Sequence, residues 1–292
     1  MKKLAFIKRS NGNHWVGDGF PVQSIFSYRD IHEEMSPFLL MDYAGPAVFE
    51  PTKERRGVGK HPHRGFETVT IVYDGQVSHH DSTNAGGTIG PGEVQWMTAG
   101  SGIIHEEYHG DDYARNGGSF EMIQLWVNLP TKHKMTAPGY QGINKAQIPE
   151  VLLADNAGIV RVIAGEYVGY QGSAHQGPAH TFSPMNVWDV RLNAGSTTTF
   201  SLPEGHTTAV FVLHGALSLG GSYTVRPSEL AVMQRSGTEF VLEAQQDTIL
   251  LLLNGEPLNE PVIGHGPFVM NSIEEIDQAI DDYNNGRLVK AA

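Results

Sequence analysis

Two short stretches of this chain carry paired metal-ligating side chains, His61-Pro62-His63 and His105-Glu106-Glu107. On a β-strand, residues two apart project from the same face. Each stretch therefore offers two donors side by side, His61 with His63 and His105 with Glu107. If the two strands are neighbours inside a barrel, three imidazoles and one carboxylate converge on one point. Such a set is a complete protein shell for a divalent transition metal, with positions left open for substrate or dioxygen. Six of the fourteen histidines fall between His61 and His109, and there is no cysteine. Any bound metal must then use imidazole and carboxylate. Disulfide frameworks, thiolate clusters, zinc ribbons and cysteine nucleophiles are excluded.

The neighbouring polar residues sort by the same alternation. Glu106 should face away from Glu107, and of His79-His80 at most one side chain should reach the site. His109, two beyond Glu107, reads as a rim residue. Glu67, four after His63, is a candidate carboxylate behind the ligands. His14, His32, His133, His175, His180 and His265 stand alone and read as surface or hydrogen-bonded groups.

The elements that must hold these residues are strands. Short apolar or alternating segments recur at 67–73, 92–98, 120–127, 159–163, 208–213, 229–233, 239–242 and 248–253. Turn signals such as Asp74-Gly75, Gly90-Pro91-Gly92 and Gly220-Gly221 separate them, which is the rhythm of an all-β sandwich or barrel. A helix is predicted only near the end, over Ile273 to Tyr283, capped by Asn271 or Ser272 and stopped at Asn284-Asn285-Gly286; a short one fits around Asp30 to Glu34. The chain also echoes itself. Tyr73-Asp74-Gly75-Gln76-Val77-Ser78 resembles Leu213-His214-Gly215-Ala216-Leu217-Ser218, and Pro91-Gly92-Glu93-Val94 resembles Pro227-Ser228-Glu229-Leu230. The offsets, 140 (215 − 75) and 136 (227 − 91), imply two β-domains meeting near residues 130–150.

With 292 residues, 40% hydrophobic and 18% charged, the chain can bury a real core. Its net charge of −12 disfavours sequence-blind nucleic-acid binding. The basic residues Lys53, Arg55, Arg56, Lys60 and Arg64 read as a solvated loop. The N-terminus lacks a secretory apolar stretch, and the run Ile249 to Leu253 is too short to span a bilayer. A cytoplasmic monomer is the expectation.

Longer motifs then carry a family resemblance. Gly19-Phe20-Pro21, Pro37-Phe38-Leu39-Leu40-Met41-Asp42, the run His61 to Val69, the run Gln95 to Glu107, Gln124-Leu125-Trp126-Val127-Asn128-Leu129-Pro130 and Gly266-Pro267-Phe268-Val269-Met270-Asn271 resemble pirin-family sequence, in order over nearly the whole chain. The resemblance implies two tandem cupin barrels (jelly rolls) with a short C-terminal helix, a metal-binding one over 1–140 and a degenerate one over 141–292. It implies His61, His63, His105 and Glu107 as ligands of one metal, usually Fe(II), although Mn, Ni, Co, Cu and Zn also accept such a shell. The repeat offsets place Ser201, Pro203, Val241 and Glu243 at the corresponding positions of the second barrel, so no equivalent site is expected there; His206 and His214 are nearby but unpaired. Pirin relatives further imply two functions. One is flavonol (quercetin) dioxygenase chemistry, with Glu107 taking the 3-hydroxyl proton and Phe38, Met41, Trp96 and Met97 as wall or core residues. The other is metal-dependent regulation of a protein partner, a transcription factor or a metabolic enzyme.

Overall fold

The computed structural model describes residues 1–10 and 12–289. Strands dominate it; seven of the eight predicted segments lie within one, and the eighth, 92–98, begins two residues before the strand Val94–Thr98. The chain packs as two units that interleave in sequence. One comprises residues 12–32, 38–145 and 258–289, and the other Met1–Ser10, Glu33–Pro37 and Ala146–Pro257. The division expected at 1–140 and 141–292 is thus corrected: three segments belong to the unit that sequence position alone would deny them. The reason is strand pairing. Leu4–Arg9 pairs antiparallel with Glu229–Met233 and forms the edge of the second unit's large sheet.

Each unit is a seven-stranded sheet with a four-stranded one, the two-layer cupin arrangement. In the first unit, the large sheet runs Gly139–Ile143, Val94–Thr98, Phe66–Asp74, Gly118–Asn128, Phe38–Phe49, Phe20–Ser27, Asn13–Val16. The small sheet runs Gly57–His63, Ile103–His109, Val77–Asp81, Gly86–Ile89. The β-branched run from Phe66 to Val72 is buried throughout, as a central strand covered on both faces should be. In the second unit, Thr207–His214 and Glu229–Met233 take the places of Phe66–Asp74 and Val94–Thr98 in the sheet order, as the repeat predicts.

The equivalents of the two ligand strands, Thr197–Ser201 and Glu239–Ala244, also pair antiparallel. They turn Phe200, Phe240 and Leu242 into an apolar core, and the rings of Phe200 and Phe240 stack 5.8 Å apart. Their side chains, not Val241 and Glu243, occupy the interior.

The C-terminal segment closes the first unit. Phe268–Met270 is followed by the helix Ile273–Asn284, whose N-cap is Ser272 with a full capping box to Glu275. Phe268, Met270, Ile276, Ala279 and Leu288 share one apolar cluster. The short helix expected around Asp30 to Glu34 is the single turn His32–Met35, whereas the helix Asp111–Asn116 lacks a strong apolar period and was not predicted. Arg64 corrects the solvated-loop reading of the basic cluster. It is 4% exposed, donates from Nε to the Ser101 carbonyl at 2.7 Å and pairs with Asp282 at 2.9 Å. Among the described residues, no helix is long and apolar enough to cross a membrane.

Candidate metal centre

Antiparallel pairing of Gly57–His63 with Ile103–His109 sets His61 directly opposite His105 and His63 opposite Ile103. Burial along Ile103–His109 alternates strictly, so His105, Glu107 and His109 face inward and Glu106 faces out, 3.4 Å from Arg55. The three imidazoles of His61, His63 and His105 gather with one ring nitrogen each inside a 4.8 Å cluster. His61 is half-buried, while His63 and His105 are buried. Backbone carbonyls fix two of the rings: Nδ1 of His61 lies 2.9 Å from the Gly59 carbonyl and Nδ1 of His63 lies 3.3 Å from that of Pro267. Both rings therefore keep Nε2 free as a lone-pair donor. Nε2 of His105 is buried with no hydrogen-bond partner.

Burial, with the neighbouring imidazoles adding to it, pushes His63 down to about 3 and His105 well below the ordinary histidine range. Neutral rings are the ligand form. A buried, unpartnered nitrogen facing two others is costly without an occupant, and a divalent cation is what this donor set suits.

Glu107 sits differently. Its carboxylate accepts from Gln95 Nε2 at 2.5 Å and joins a second group with His79 and His105, again within 4.8 Å. Thr70 lies 3.4 Å from it, but the single hydroxyl proton goes to Gln124 at 2.7 Å. Gln95 is thus the main partner of Glu107 in this arrangement.

Other predicted residues fall into place around this centre. Of the His79-His80 pair, His79 is buried and His80 exposed. His109 is no rim residue; it is buried, 2.8 Å from the Gly19 carbonyl, among Phe20, Phe49, Tyr113 and Phe120. Glu67 is fully buried, accepts from Thr98 at 2.7 Å, and burial pushes it up to about 7 against that hydrogen bond. Phe38, Met41, Trp96 and Met97 are all within the core.

Sequence reasoning missed Asp81, Gln95, Thr70 and Gln124, and the tie from His63 to Pro267. The alternation His79-x-Asp81, two residues apart on one strand, was the available signal for the first of these. Lys134 was also missed. It is 2% exposed and donates from Nζ to the carbonyls of Gly65 and Val269, each at 2.8 Å, and to Asn128 at 2.6 Å. Those bonds clamp the turn after His63 to the segment that carries Pro267. Gly65 sits there at φ +89, and a Cβ on it would come within 2.0 Å of the Val269 carbonyl oxygen.

Two cupin units, the first lined by a convergent histidine cluster, define a bicupin with a candidate metal site in that first barrel. The chain belongs to the pirin family: residues 19–127 match the family model Pirin, and residues 187–289 match Pirin C-terminal cupin domain. A Pseudomonas aeruginosa protein named "Putative quercetin 2,3-dioxygenase" is 58% identical over 291 residues, covering 100% of both chains. Pirin-1 of Arabidopsis thaliana is 38% identical over 79% of this chain and 78% of its own length. A crystal structure of a quercetin 2,3-dioxygenase from Acinetobacter baumannii superposes with a TM-score of 0.94 at 52% identity, over 99% of this chain and 98% of that one.

Proposed function

We propose that this chain is a flavonol dioxygenase of the quercetin 2,3-dioxygenase type, with one divalent transition metal, iron(II) first among the candidates, held by His61, His63, His105 and Glu107. The observation that carries the reading is the trio of imidazoles with the buried, unpartnered Nε2 of His105. The names of the Pseudomonas and Acinetobacter relatives support the substrate class.

Held by His61, His63, His105 and Glu107, a divalent metal would supply Lewis acidity toward a chelating hydroxyl. The protein's own residues do the rest. Glu107 takes the proton of the flavonol 3-hydroxyl, for which it must come within about 3 Å or one water of that oxygen. Gln95, through its 2.5 Å bond, holds the carboxylate for that transfer. The backbone ties on His61 and His63 keep both rings turned with Nε2 toward the site, and the buried lining around His63 and His105 limits water.

The test is turnover of quercetin by iron-reconstituted protein under oxygen, following loss of the flavonol absorbance and release of carbon monoxide. His61→Ala should lose metal and turnover together. Glu107→Gln, which also lacks a base, should lose turnover by at least about 100-fold. Metal-replete protein that cleaves none of a range of flavonols would refute the enzyme reading and leave a metal-dependent regulatory role as its successor.

A further inference from the structure

Behind His105 a line of buried side chains runs away from the metal-facing nitrogen. Nδ1 of His105 lies 3.2 Å from Nδ1 of His79, and Nε2 of His79 lies 3.0 Å from Oδ2 of Asp81. Strand register produces this line. Val77–Asp81 pairs with Ile103–His109 so that Asp81 is opposite His105 and His79 opposite Glu107. The side chains of His79 and Asp81 are both 0% exposed. Tyr140 stacks on the His79 ring, with centroids 4.8 Å apart and planes 17° apart. Both nitrogens of His79 are engaged, so the group His79, His105 and Glu107 does not need a second cation to explain it.

We propose that Asp81 and His79 are positioning residues that set the tautomer of His105, so that its Nε2 presents a lone pair to the metal. This rests on the reading that the three-histidine cluster holds a metal.

The chain of reasoning starts at Asp81. Its Oδ1 accepts from the Thr83 amide at 2.7 Å and the Thr83 hydroxyl at 2.6 Å. Its Oδ2 is left to face His79, and a carboxylate can only accept. His79 must therefore carry its proton on Nε2, which leaves Nδ1 as an acceptor. His105 then donates from Nδ1, and its Nε2 is deprotonated. Each ring is fixed by the one behind it, as outer hydrogen bonds commonly orient metal-ligating histidines.

Asp81→Asn reverses the line while almost preserving shape. The Thr83 donors hold the amide oxygen at the Oδ1 position, so the amide NH2 must face Nε2 of His79. The proton of His79 moves to Nδ1 and points at His105, which then favours a proton on its Nε2, where the metal should bind. Asp81→Ala merely removes the bias, leaving either tautomer open.

The experiment measures Co(II) affinity by competition with a chelator, together with the visible ligand-field spectrum, for wild type, Asp81→Asn and Asp81→Ala. Asp81→Asn should weaken binding about 10–100-fold, Asp81→Ala should fall between it and wild type, and the residual band shape should stay that of wild type. A purely structural role predicts the reverse order, since alanine also strands both Thr83 donors; that order would overturn the proposal. Equal affinity in all three would overturn it too, with metal binding intact. Wild type that binds no Co(II), iron(II) or zinc would remove both the proposal and the metal reading. Should either variant fail to fold, long-range proton–nitrogen correlation on the wild-type zinc-loaded protein decides. His79 protonated on Nε2 alone supports the assignment, and His79 protonated on Nδ1 or coordinated to zinc overturns it.

Discussion

Replacing Lys134 with methionine isolates the clamp behind the histidine cluster. Methionine keeps most of the packed stem and removes the ammonium, so three acceptors lose their donor: the carbonyls of Gly65 and Val269 and the side-chain oxygen of Asn128. Each buried acceptor left unpaired costs about 1–3 kcal/mol. Burying the ammonium is itself unfavourable; it lowers Lys134 to about 7, with Glu260 and Glu275 opposing that shift. The variant is relieved of this cost, and the net destabilisation should be about 2–4 kcal/mol. Because the folded value lies below the unfolded 10.5, the unfolded chain binds more protons between the two, and this lysine makes wild-type stability rise with pH through that window. Its contribution is fully present above 10.5 and is lost as pH falls through about 7. Lys134→Met lacks that rise, so the stability gap should widen from pH 7 to pH 10. Urea unfolding followed by tryptophan fluorescence, with Trp15, Trp96 and Trp126 in the same unit and Trp188 in the other, measures both quantities. A loss under about 1 kcal/mol would refute the clamp, and a gap that narrows as pH rises would refute the lowered value of the buried lysine.

Two further outcomes follow from buried charges in the same unit. Glu67→Gln should be more stable than wild type at pH 8 by about 1–3 kcal/mol. The wild-type carboxyl, raised by burial to about 7, contributes stability below its unfolded value that is lost as pH rises through the folded one, and thermal unfolding across pH 4 to 8 should show that decline vanish in the variant. Asp282→Asn strands the buried Arg64 guanidinium. It should cost about 1–3 kcal/mol, discounted for the partial exposure of Asp282, and speed amide exchange in the helix Ile273–Asn284; unchanged exchange there would disprove the anchoring role of Arg64.

The barrel class and the histidine cluster were legible because both rest on periodicity. A two-residue period put His61 with His63 and His105 with Glu107, and the same period ran through the core strands. What lay beyond reach was register. Nothing local to Val77–Asp81 says that Asp81 will sit opposite His105, so the line behind His105 was invisible even though both partners were in plain view. The regular alternation also could not distinguish an inward histidine at the site from His109, which points inward into an aromatic cluster. Arg64 misled for a related reason: the basic residues grouped with it, Lys53, Arg55, Arg56 and Lys60, are exposed or half-buried, while the carboxylate it pairs with arrives 218 residues later. The interleaved units escaped because the pairing of Leu4–Arg9 with Glu229–Met233 joins distant segments that carry no shared local pattern.

That interleaving bears on how the protein is made. During synthesis the strands bearing His61, His63 and His105 leave the ribosome early, yet the carbonyl that orients His63 belongs to Pro267, and the carboxylate that neutralises Arg64 belongs to Asp282. The histidine barrel is thus finished by residues translated after the whole second barrel. A gene fragment ending at the apparent halfway point would encode His61, His63 and His105 without the carbonyl that orients His63 or the carboxylate that neutralises Arg64, so the two barrels are not separable at that point. Residues 258–289 are the closing piece of the first barrel.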